Sequence, residues 1–169
     1  MKKLCLLITA CLFLLVGCNV NADPLAYQRG NISCEVSFSV GAVAYEANLL
    51  LGAIREDGGR DATLTLNYPE NLRGVCVKRL SDGAYLSFGE VEIPLPAASL
   101  SGFFEVADAF SINGNIEKIE VEGNSNIISV LSDAGRYRVY LDSATHTPEK
   151  IDFEGTTRTI EINIKNFNK

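Results

Sequence analysis

The chain has one histidine in 169 residues, and that scarcity removes most imidazole chemistry. His146 lies beside Asp142 and Ser143, but a catalytic triad needs its base oriented by one partner and within reach of a nucleophile. Here all three share one polar turn, Leu141 to Pro148, with no nucleophile elbow, so His146 reads as a solvated turn residue. One histidine and a few separated cysteines also form no metal-ligand set of recognisable spacing. Basic residues are outnumbered, 15 Lys and Arg against 21 Asp and Glu, and none cluster. Such an acidic surface repels phosphate backbones, so nucleic acid is not an expected partner. Glycines are scattered at turns with no phosphate-binding loop, and there is no internal repeat or low-complexity tract. The acidic pairs Glu90 and Glu92, and Glu120 and Glu122, alternate with Val91, Ile93, Ile119 and Val121. That alternation makes them the wet face of amphipathic strands and leaves them outside any acid–base pair. Neither a cofactor nor an enzymatic activity is expected.

Long apolar stretches are also missing. The run from Leu4 to Val16 is about 13 residues, short of the ~20 that cross a bilayer as a permanent helix. Preceded by Lys2 and Lys3, it reads as an export signal. Its end, Leu15-Val16-Gly17-Cys18, resembles the bacterial lipobox, which implies that the Cys18 thiol is acylated and becomes the mature N-terminus. The resulting division is a signal peptide over 1–17, a lipidated N-terminus and tether over 18–30, and a single domain over 31–169. Ordinary signal-peptidase cleavage after Val20-Asn21-Ala22 is the rival reading. Either way the address is extracytoplasmic; with the lipobox it is a lipid anchor on a bacterial membrane, the membrane being a partner through Cys18. Loss of Lys2 and Lys3 moves the formal charge from −6 to −8, so acyl chains rather than electrostatics would hold the domain there. Asn19 to Arg29 shows no periodicity and contains Asp23-Pro24, as a tether would. At ~3.5 Å per extended residue it reaches no more than about 40 Å.

Of the five cysteines, Cys5 and Cys11 leave with the signal and Cys18 is the anchor. Cys34 and Cys76 remain as a candidate disulfide in an oxidising compartment. Both sit inside strand-like runs, and two reduced thiols serving as small apolar side chains are the alternative.

From Ile32 onward the dominant signal has period two. Cys34, Val36, Phe38 and Val40 alternate with Ser33, Glu35, Ser37 and Ser39, predicting a strand with one buried and one wet face. Val43 to Leu51 gives a second strand, Glu56-Asp57-Gly58-Gly59-Arg60 a turn, and Leu64 and Leu66 mark a third. Short connections such as Ser81-Asp82-Gly83 favour an antiparallel meander. After Pro94 and Pro96, Leu100, Phe103, Phe104, Ala107 and Phe110 fall on one face of a helix from about Ala97 to Phe110, with Ser99 or Ser101 as its cap. About ten strands and one helix are expected. One short helix cannot cover so long an apolar face, so the sheet must curl on itself. The fold class is mainly β: a strongly curved antiparallel sheet forming an unclosed barrel with one packed helix.

Several stretches carry a family likeness: the Phe38 to Leu51 hairpin, the step Pro69-Glu70-Asn71-Leu72-Arg73-Gly74, the helix after the Pro94 strand, and Tyr140-Leu141-Asp142 through Thr145, Pro148 and Ile151. Together they resemble the lipoprotein-carrier superfamily typified by LolA and LolB. The resemblance implies an unclosed barrel, lidded by helices, that holds acyl chains or whole lipids. The family's helix before the first strand has no counterpart here, and only one lid helix is evident, which implies a shallower or filled interior.

The functional expectation is a lipid-anchored extracytoplasmic binding module for a lipid, acyl chain or other hydrophobic ligand. Its concave apolar face would comprise Val36, Phe38, Leu49, Leu51, Leu64 and Leu66 from the strands, with Leu100, Phe103, Phe104 and Phe110 from the helix. The alternative is a tethered structural or protein-interaction domain of the cell envelope, with a filled core and an envelope protein as partner.

Overall fold

The chain runs through eleven strands joined almost entirely by hairpins: β1 (Ile32–Val40), β2 (Val43–Leu51), β3 (Ala62–Tyr68), β4 (Cys76–Leu80), β5 (Gly83–Phe88), β6 (Val91–Leu95), β7 (Asn115–Glu122), β8 (Ser125–Ser132), β9 (Gly135–Asp142), β10 (Pro148–Gly155) and β11 (Thr159–Asn168). These come from a computed structural model that describes residues 23–156 and 158–169. The expected signal peptide, the Cys18 anchor and the first part of the tether lie outside the described residues.

All eleven strands form one antiparallel sheet in the order β6-β5-β4-β3-β2-β1-β11-β10-β9-β8-β7. Two meanders, β1 to β6 and β7 to β11, are therefore joined in the middle by one long-range pairing of β1 with β11, in which Val36 faces Ile164. Between β6 and β7 the chain crosses from one edge of the sheet to the other through a 3-10 turn (Ala97–Leu100) and helix α1 (Ser101–Asp108). The edges β6 and β7 do not pair with one another, so the barrel is unclosed, as the sequence pattern predicted.

Strand alternation explains the core. Cys34 is opposite Leu49, Leu49 opposite Leu64, and Leu64 opposite Val77, giving one buried apolar row across four strands. The same alternation buries Val130, Val139, Ile151 and Ile162 in the other meander, and both sets belong to one contiguous core. A sheet about 50 Å wide at ~4.8 Å per strand and a helix about 12 Å long can share one core only if the sheet bends around the helix. Gly102 permits the closest approach, since a Cβ there would stand 2.7 Å from a Val40 methyl.

Two expectations are corrected, and of the two readings of Cys34 and Cys76 the reduced one holds. Neither Ser99 nor Ser101 caps α1; its N-cap is Leu100, without a side-chain hydrogen bond. The preceding 3-10 turn, with Ser99 N–H donating to Pro96 O at 2.9 Å, feeds directly into the helix and takes the place of a side-chain cap. Cys34 and Cys76 are both free thiols. Val77, rather than Cys76, lies in register with Cys34, so the two thiols project from opposite faces, and three strand spacings separate them by about 14 Å, beyond disulfide reach. The described part of the expected tether is docked, since Tyr27 and Gln28 are buried. Tyr27 packs edge-on against Phe167 at 6.4 Å, and Lys169 Nζ donates to Ala26 O at 2.6 Å.

Candidate functional site

The ten residues expected to line a ligand cavity do share the concave side, yet they fill it. Val36, Phe38, Leu49, Leu51, Leu64, Leu66, Leu100, Phe104 and Phe110 are buried in the core, with Phe103 half-buried beside them. Phe110 and Leu64 have no solvent exposure. Side chains, not an empty channel, occupy the middle of the half-barrel. Open space occurs instead where the curled sheet comes apart.

One opening, about 650 Å³, forms where β1 and β11 separate beyond the Ser37 and Asn163 pair. On its inner side Phe38 stacks on Tyr45 at 5.6 Å, and both rings meet Phe103 edge-on at 6.1 and 5.1 Å. Its remaining walls are mixed, with Ser37, Ser39, Glu46, Arg158, Glu161 and Asn163 beside Val40, Ala44, Tyr68 and Ile160. A second opening, about 570 Å³, is lined by Arg55, Arg60, Arg79, Asp108 and Asp133 among others. Arg79 there is already bound to Asp108 at 2.7 Å, and Arg55 to Asp61. Charged side chains stand in both linings.

A smaller opening is lined mainly by apolar side chains. A groove of about 450 Å³ lies between the N-terminal segment and strands β7 to β9, walled by Pro24, Ala26, Tyr27, Ile119, Ile128 and Leu141, with Asp23, Asn126 and His146 at its polar rim. Register explains its lining: Ile119 is opposite Ile128, and Ile128 opposite Val139, so these side chains point to the concave side. Because β7 is an edge strand, no further strand among the described residues continues the sheet beside its inward row. Ile119 and Val121 are 56% and 74% exposed, extending the groove as an apolar shelf. Such a volume is within the range of small-ligand sites.

The groove's polar end is built by the β9–β10 turn. Asp142 Oδ1 accepts from Thr145 N at 2.7 Å, Thr145 Oγ1 at 2.8 Å and Ala144 N at 3.1 Å. The Thr145 N–H, then its hydroxyl, hold this carboxyl below the ordinary aspartate range. That arrangement fixes the turn and leaves His146 with a φ of 55°. Asp142 Oδ1 is thereby engaged in its own turn. Among the described residues, no group of three or more His, Cys, Asp or Glu side chains converges to hold a metal ion, and no helix is long and apolar enough to cross a membrane.

Sequence reasoning missed the groove because its walls come from two misread places. Tyr27 sits in a segment without periodicity, and nothing local reveals that it docks. Ile119 and Val121 were legible as the dry side of a strand, but not as the dry side of an edge strand.

The structure thus defines a class, an unclosed half-barrel with a filled centre, one lid helix and an apolar groove at one edge. No protein-family model matches the chain, and no curated protein matches it in sequence. Among solved structures it is similar to an uncharacterized conserved protein from Thermus thermophilus, with TM-score 0.50 and 10% identity over 87% of this chain and 83% of that one. It is also similar to a chain of the Pseudomonas aeruginosa MucA/MucB complex, with TM-score 0.44 and 14% identity over 86% of this chain. It spans only 53% of that chain, about half its length. A third similar structure is the LolA superfamily protein NE2245 from Nitrosomonas europaea, with TM-score 0.43 and 10% identity over 83% of this chain and 86% of that one. The Thermus likeness is one of fold alone.

Proposed function

We propose that this chain is a non-catalytic, lipid-anchored extracytoplasmic module that holds an acyl chain or a comparably hydrophobic ligand in the edge groove. The observation that carries the reading is the chemistry of the groove: six apolar residues form its walls, and the exposed Ile119 and Val121 continue it. Burying apolar area is worth roughly 25 cal/mol per Å² before association costs, and in this groove little polar desolvation opposes it. The filled centre limits the guest to the edge; engulfment of a whole lipid is not part of the reading. The lipobox resemblance of Leu15 to Cys18 supports the anchor. Mass analysis of the mature N-terminus tests it, an acylated Cys18 agreeing and an unmodified chain starting at Asp23 opposing it.

The ligand claim is tested with full-length protein in lipid nanodiscs, labelled by a diazirine fatty acid and mapped by peptide mass spectrometry. Labels are expected on peptides carrying Tyr27, Ile119 and Leu141. Ile119→Asp, which places a carboxylate in the apolar wall, should cut that labelling about tenfold, while Ile54→Asp at an exposed loop position should leave it unchanged. Labelling that avoids these peptides, or ignores Ile119→Asp, overturns the claim.

A second reading draws on the packed interior. With Phe104, Val106 and Phe110 excluding solvent, the domain also suits a structural or protein-interaction role beside an envelope partner. In that case no diazirine labelling of the groove is expected at all.

A further inference from the structure

The two edges of the sheet are built differently. β6 has five residues, including Pro94, which lacks the N–H that strand addition needs. β7 has eight residues and no proline, so its outer backbone presents the donors and acceptors onto which another strand adds. Its charges select which strand. Lys118 and Glu120 project from the convex side, joined to each other at 2.7 Å, and Ile119 between them projects to the concave side.

We propose that β7 pairs antiparallel with β7 of a second copy of this chain, about a two-fold axis that passes through the Ile119 position. In that register Lys118 lies opposite Glu120 of the other copy, and Glu120 opposite its Lys118, so two ion pairs form by symmetry. The neighbouring registers fail on charge. An axis at Lys118 sets lysine against lysine, an axis at Glu120 sets glutamate against glutamate at the two-fold beside two Lys118–Glu122 pairs, and an axis at Val121 opposes Glu120 with Glu122 twice. Like charges directly opposite destabilise a strand pair. Edge lysines and bulges commonly guard against association, and β7 has both, the bulge falling between Ile116 and Lys118. The Ile119-centred register turns the lysine from a guard into a partner without setting like charges opposite one another.

The pairing also covers exposed apolar surface. Ile119 and Val121 are among the most exposed large apolar residues of the domain, and a closed two-fold contact brings both copies' residues side by side on the concave face. The two edge grooves then open into one another. This inference goes beyond the ligand reading and holds whether or not the grooves take an acyl chain.

Cysteine cross-linking of the full chain in detergent micelles tests it. At the axis the two Ile119 Cα atoms would be ~4.5–5.5 Å apart, within disulfide range. Ile119→Cys, oxidised with copper–phenanthroline and air, should give a covalent dimer on non-reducing gels, where the unsubstituted chain and Val91→Cys on β6 give none. Adding Lys118→Glu should lower the dimer yield about tenfold or more, and adding both Lys118→Glu and Glu120→Lys should restore it. Circular dichroism confirms that each variant is folded, which is expected because Lys118 and Glu120 are on the surface. A dimer yield no higher than that of Val91→Cys, or one indifferent to Lys118→Glu, overturns the proposal.

Discussion

Arg60 ties together parts of the chain that are far apart in sequence. It is only 3% exposed; its Nε donates to Gly52 O at 2.6 Å, Nη1 to Phe110 O at 3.0 Å, and Nη2 to Gly30 O. The docked N-terminal segment, the β2–β3 loop and the end of the helical crossing therefore share one cation. Burial lowers its pKa from the ordinary arginine value, but arginine stays charged, and the three carbonyls, not a carboxylate, solvate it. Arg60→Ala would leave buried carbonyls unpaired, and we expect a loss of about 2–4 kcal/mol in urea unfolding. A loss below about 0.5 kcal/mol would mean that water replaces the side chain. In the sequence this arginine closes a turn-like run and reads as solvated, because its partners lie 8, 30 and 50 residues away. Cys34 makes a complementary point. Burial pushes its thiol up to about 12, whereas an unfolded cysteine ionises near 8.5. The folded state thus retains a proton that the unfolded state loses, so stability should hold to about pH 8.5 and fall as pH rises from there towards 12. Burial also raises the Tyr27 and Tyr137 hydroxyls, adding to the alkaline loss. Native-state maleimide labelling should reach the half-buried Cys76 and spare Cys34. Labelling of Cys34 without unfolding would contradict its placement.

Individual elements were largely legible, but their neighbours were not. Period two marks every strand from Ile32 to Ile164, and the spacing of Leu100, Phe103, Phe104, Ala107 and Phe110 marks the helix. The helix proper is shorter than that spacing suggests, since a 3-10 turn supplies its first four residues. Phe104 shows what α1 contributes: its ring is buried in the core and Arg79 lies over it at 5.4 Å, while Arg79 also binds Asp108 at the helix end. Phe104→Ala should cost about 3–5 kcal/mol and lower the cooperativity of unfolding, because the helix and β4 share that contact. A cost near 1 kcal/mol would show that α1 is a surface lid rather than a part of the core. Position at an edge is the property that local pattern cannot encode. The alternation in β7 reads as that of any half-buried strand, and only the pairing of β1 with β11 in the middle of the sheet leaves β7 outermost.

At the scale of the whole molecule, curvature follows from area: one short helix and a long apolar face leave the sheet no stable option but to wrap. That part of the architecture could be reasoned from the sequence. How the enclosed volume is used could not, since buried phenylalanines read identically whether they line a cavity or fill one. Here they fill it, so the capacity for a guest moves from the centre to the edge, under a segment that reads as a mere tether. The most direct measurement of this account is native mass spectrometry of the full-length protein released from nanodiscs. The account predicts one non-covalent adduct of lipid mass per chain, lost in Ile119→Asp and kept in Ile54→Asp. A bare chain in every charge state, or an adduct indifferent to Ile119→Asp, would contradict it.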